Sequence, residues 1–194
     1  MKLQIKVQKI ICWIVLASCV LAFFFALGLA TDIYKVMMAG DFGVPGAEIF
    51  EDIQPFNRAL VFRCILMIVL VIFLFITRTH IRRRYYISNY LTSIAAFLLN
   101  TLVPIWGIIN ILDIKKRYLT EVDFEIWYRI SHDVPGVPYT ESTLWLDLNI
   151  VVLSLMIVVS ILLIINLIWK IMLMKYEDKL LADKIKPKTI PGEV

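Results

Sequence analysis

The chain has 194 residues, 60% of them apolar and only 19% charged, with a formal net charge of +4. A water-soluble domain is about 45–50% apolar and about 25% charged, so this composition excludes one of ordinary make-up, and the small net charge gives no signal for nucleic acid. Cys12, Cys19 and Cys64 all fall within apolar runs and form no Cys-x-x-Cys, which excludes a readable disulfide framework or a dithiol redox pair.

Residues 1–9 carry Lys2, Lys6 and Lys9 and read as a cytoplasmic N-terminal tail. The apolar run over 10–31 reaches the roughly 20 residues a helix needs to cross about 30 Å of hydrocarbon. It exceeds the roughly 7–15 apolar residues of a secretory signal, so it reads as a retained first span. Along it Ser18, Ala22, Ala26 and Ala30 recur every fourth residue. Such a small-residue stripe lets another helix backbone come close, and dispersion is what holds helices together in lipid.

An outer loop follows over 32–58, with Val44-Pro45-Gly46 inside it. Proline fixes φ and the glycine after it supplies a positive φ, so the pair predicts a type II turn. The second span, 59–77, carries Arg63 about one helical turn from its outer end. The link over 78–85 holds Arg78, Arg82, Arg83, Arg84 and Tyr85, with Tyr86 opening the next span. It is too short to form a nucleic-acid reader, which needs a longer basic face on a folded platform. It reads as a topological anchor, its arginines against anionic headgroups and its tyrosine rings at the interface.

The third span, 86–112, places Asn100, Pro104, Gly107 and Ile111 on one helical face. Pro104 frees the carbonyl of Asn100 and Gly107 admits a close neighbour, so this face predicts a helix–helix seam. The second outer loop, 113–143, repeats Val-Pro-Gly at 134–136, which hints at a duplicated helix–loop–helix unit. Leu119, Val122, Ile126 and Ile130 share helical spacing and predict a short amphipathic helix over 118–130. The fourth span, 144–169, contains Asp147 about one turn from its outer end, then Asn149 and Asn166. Arg63 and Asp147 are lone charges at similar depth, and each is costly to bury unpaired, so a pair between them, direct or water-bridged, is one expectation and snorkelling of each to separate water is the other. Residues 170–194 read as a cytoplasmic tail, helical at its start.

Orientation follows from lysine and arginine. The two tails and the 78–84 link hold 13 of the 20, the two outer loops hold 6, and Arg63 lies within a span. Both termini are therefore expected in the cytoplasm, although Lys115, Lys116 and Arg117 run against the trend. The fold expected is an all-α integral membrane protein, an antiparallel bundle of four transmembrane helices. Its two outward-facing loops carry short amphipathic helical segments, and the membrane is a plasma or bacterial inner membrane. No catalytic constellation, metal-ligand spacing or cofactor motif occurs, so no catalytic, metal or cofactor residue is assigned. The function expected is that of a non-catalytic accessory or interaction subunit. Its partners would be membrane lipids, anionic ones on the cytoplasmic side, and another membrane protein or a second copy, with no nucleic acid. The alternative is a small-solute transporter or channel subunit using polar groups of the second, third and fourth spans.

Overall fold

The structure, a computed structural model, describes residues 2–37, 42–77 and 83–185. Five helices make it up: α1 (Lys2–Met37), α2 (Ile49–Thr77), α3 (Arg83–Glu121), α4 (Phe124–Asp133) and α5 (Leu144–Ile185). No strand occurs among the described residues. Hydrocarbon offers an open backbone no partner, and helices are the form in which each apolar run satisfies its own amides. Four of them, α1, α2, α3 and α5, are long and apolar enough to cross a membrane. The chain is thus all-α and membrane-embedded, as its composition requires.

The four long helices form a ring in which α1 packs on α2 and α5, and α3 packs on α2 and α5. Side-chain contacts fix their directions. Gln8 meets Asn89 and Cys19 meets Asn100, so α1 and α3 run parallel across one diagonal. Thr101 meets Ser160 while Lys115 meets Asp147, so α3 and α5 are antiparallel neighbours. Each helix buries one narrow stripe. On α1 it includes Gln4, Gln8, Cys12, Val15, Cys19, Ala22, Ala26 and Leu29, and on α2 it includes Ile53, Asn57, Leu60, Cys64, Met67, Val71 and Leu74. The opposite faces expose large apolar groups such as Phe24, Phe62, Phe73 and Val158, the surface that lipid covers.

The helices outrun the apolar spans. α1 already includes the residues read as a tail, and α5 continues unbroken to Ile185. Arg78 and Arg82 of the predicted basic anchor lie outside the described residues. Arg83, Arg84, Tyr85 and Tyr86 form the first turn of α3.

The bundle end opposite the termini is closed by a cap. Val44-Pro45-Gly46-Ala47 is the expected turn, with Ala47 N–H donating to Val44 O at 3.2 Å and Gly46 at φ 80°. Val134-Pro135-Gly136-Val137 is its counterpart, closed at 3.4 Å with Gly136 at φ 94°. The likeness ends there. A Cβ on Gly46 would lie 2.1 Å from the Glu121 carbonyl oxygen, whereas one on Gly136 would meet open space. Pro45 O also accepts the amide of Asp123 at 3.2 Å, so the first turn is wedged against the end of α3. The two turns are thus alike in shape and unlike in what they touch.

The amphipathic helix of the second loop exists with a different register from that expected. α3 runs on to Glu121, and Asp123 then breaks the helix with an extended backbone (φ −84°, ψ 92°) and caps α4 by accepting Ile126 N–H at 3.0 Å. That break leaves Leu119 on α3 and Val122 between the helices, apart from Ile126 and Ile130 on α4. The residue α4 buries is Trp127, while Leu119 and Ile126 are exposed.

Candidate functional site

Polar side chains inside the bundle are the first place to seek function in a membrane protein, because lipid makes them costly. At the capped end the expected Arg63–Asp147 pair does not form. α2 and α5 sit on opposite corners of the ring, so equal depth does not bring their side chains together. Asp147 instead accepts Lys115 Nζ at 2.5 Å and the Thr143 hydroxyl at 2.8 Å. Arg63 lies over the indole of Trp106, 3.6 Å from its centroid, and Phe56 meets the same ring at 5.1 Å. Guanidinium and indole attract through the ring quadrupole, which gives Arg63 a neutral partner near the membrane boundary.

In mid-bundle the residues of the predicted seam do pack together. Asn100, 1% exposed, donates to Ala96 O at 2.7 Å and accepts the Cys19 thiol at 2.9 Å, tying α3 to α1. Pro104 and Gly107 are buried on the same side. A Cβ on Gly107 would fall 2.8 Å from Cδ1 of Leu153, so the missing side chain is the notch that Leu153 fills. Asn149 of α5 donates to Phe25 O at 3.0 Å and to Trp145 O at 2.8 Å. Ala22 and Ala26 are buried at 2% and 1%, Ser18 is buried with its hydroxyl on Val15 O, and Ala30 is half-buried. The small-residue stripe thus serves packing within this bundle.

A third polar layer lies at the end carrying the termini, and the span-by-span reading missed most of it. Gln4 donates to Asn166 at 3.2 Å and to Gln8 at 3.3 Å, and Gln8 donates to Asn89 at 3.2 Å. Asn89 also donates to Thr77 and accepts Lys170 Nζ. All four long helices contribute, and Gln4, Gln8, Asn89, Asn166 and Lys170 are each at most 4% exposed. The signal was present as periodicity: Gln4 and Gln8 continue the buried rhythm of Cys12, Val15 and Cys19 backwards, and Lys170 continues that of Leu163 and Asn166 forwards. Ending the spans where hydrophobicity stops hid it.

Among the described residues, the cap is the ordered feature outside the membrane-crossing helices. Trp127 is fully buried, its Nε1–H donating to Pro138 O at 2.9 Å. Phe50, Phe124 and Tyr139 surround it with ring centroids 6.0, 6.1 and 5.4 Å away. Tyr118 joins Phe50 and Phe124, and its hydroxyl donates to Thr140 O at 2.5 Å. Arg117 bridges Asp52 at 2.9 Å and Glu121 at 3.0 Å, joining α2 to α3. With Lys115 on Asp147, two of the three basic residues that oppose the charge asymmetry are matched by local carboxylates.

Among the described residues no cluster of three or more His, Cys, Asp or Glu is arranged to hold a metal ion. Comparison of the chain with protein families, with curated proteins and with solved structures finds no match.

Proposed function

We propose that this protein is a non-catalytic four-span subunit that docks another protein through its capped end. The observation that carries the reading is the contrast between interior and cap. The amides buried in the bundle, Asn57 apart, bond to one another across helices and to backbone carbonyls of their own or a neighbouring helix, which is what clasps do. The cap, by contrast, spends a buried tryptophan and an aromatic cluster on holding an ordered surface clear of the bundle. That surface shows Tyr128 and Ile126, large exposed groups on α4, which lies outside the four candidate spans. Aromatic groups on a rigid support are favoured anchors in protein interfaces. The excess of basic residues in both tails and the arginine link supports a cytoplasmic location for the termini, with the cap outside.

Photocrosslinking in intact cells tests this. A benzophenone amino acid at Ile126 on the cap is expected to give a discrete adduct with a second polypeptide, and one at lipid-facing Phe73 is not. An adduct from Phe73 alone would move the docking surface into the membrane. No adduct from either, with solute flux in proteoliposomes, would favour the carrier reading.

A further inference from the structure

Phe124, Glu125, Tyr128, Tyr139 and Glu141 line one open depression on the cap. Rings and carboxylates together make a cation site: a ring face attracts positive charge through its quadrupole, and carboxylates add the long-range field. The rings are held from behind. Tyr139 abuts Trp127 edge-on at 5.4 Å, Phe124 abuts Tyr118 at 5.2 Å, and Tyr128 stacks on His132 with planes 9° apart. Tyr128 and Tyr139 stand at 73° to each other, 5.4 Å apart, so they form two walls of a corner. A ligand would find these walls already in place, which lowers the ordering cost of binding.

The carboxylates narrow the class of cation. Glu125 is ion-paired with Arg129 and Glu141 accepts the Tyr139 hydroxyl at one oxygen, so the lining offers more ring face than free acceptor, with Glu141 as its net charge. A primary ammonium is strongly hydrated and needs acceptors to replace its water. A quaternary ammonium has no N–H to satisfy and rests on ring faces, the recognition mode of aromatic cages. Height narrows the source. The apolar run of α3 ends near Leu112, and the helix continues to Glu121 before α4 begins. At 1.5 Å per residue Glu121 stands about 13 Å beyond Leu112, and Phe124, one wall of the depression, packs on Tyr118, about 9 Å beyond it, past a headgroup layer of roughly 5–8 Å. We propose that this depression binds a small quaternary ammonium solute from the aqueous phase, with Tyr128, Tyr139 and Phe124 as walls and Glu141 as the charge.

The probe is choline, read by saturation-transfer NMR of its methyl protons on the purified protein in maltoside detergent at low salt. Its neutral carbon isostere, 3,3-dimethylbutan-1-ol, is the control. Saturable transfer to choline and none to the isostere is expected. Glu141→Gln, which keeps size and shape, and Tyr128→Leu, at a site 57% exposed, should each weaken choline binding about fivefold to tenfold without unfolding the cap. Equal transfer to the isostere, or unchanged binding in both variants, overturns the proposal. So does tighter binding of N-acetyl-lysine amide than of choline, which would assign the depression to a basic side chain of a partner. In nanodiscs, the same choline affinity in phosphatidylglycerol and phosphatidylcholine supports an aqueous ligand. Loss of choline binding in phosphatidylcholine alone would give the site to a lipid headgroup.

Discussion

Asp147 and Arg63 show how far a single side chain can be read from its position in a span. Both were legible as charges near one end of an apolar run, and the structure places Asp147 in the first turn of α5 and Arg63 within α2. What the sequence could not supply is the order of helices around the ring, because depth is one coordinate and adjacency needs two. α3 stands between α2 and α5, and it gives Lys115 to one charge and Trp106 to the other. A double-mutant cycle separates the two arrangements. The Lys115 and Asp147 side chains are 30% and 46% exposed, so their bond belongs with partly solvated ion pairs, worth about 1 kcal/mol or less. Lys115→Met and Asp147→Asn should each cost about that much in detergent unfolding, with measurable coupling in the double variant. Arg63→Leu and Asp147→Asn should add to within about 0.3–0.5 kcal/mol, as non-contacting residues do. Coupling beyond that between Arg63 and Asp147 would restore the pair the sequence implied.

The long helices were legible as elements because apolar length is a strong signal, and their termini were not because hydrophobicity and helicity end at different places. Gln4, Gln8 and Lys170 belong to the helices by periodicity and to the polar flanks by composition. The cap was half legible. Both Pro-Gly turns form with the expected positive φ, yet nothing local in Val-Pro-Gly says that one is wedged against Glu121 and the other is free. The structure makes that difference measurable. Gly136→Ala meets only backbone strain, about 1–2 kcal/mol. Gly46→Ala meets the same strain plus a backbone carbonyl that cannot turn aside, so it should cost more and should release the cap from α3. Thermal unfolding followed by near-ultraviolet circular dichroism of Trp127 and its aromatic neighbours reads both effects. Equal losses from the two substitutions would contradict the wedge.

At the scale of the whole molecule, the bundle is held by three polar layers at different depths, with apolar packing between them and lipid-facing surface around them. The basic residues concentrate at the end with the termini, while those at the capped end include Lys115 and Arg117, each bound to a carboxylate. Both the docking surface and the cation site depend on four crossings with the cap outside, so orientation is the claim on which the account rests. The native cysteines suit a labelling test, since Cys12, Cys19 and Cys64 are all fully buried. In intact cells, a membrane-impermeant maleimide should label a cysteine placed at exposed Asp133, at the end of α4, and spare one at exposed Tyr176, toward the end of α5. Protection of position 133 with labelling at position 176 would put the cap in the cytoplasm and contradict the account.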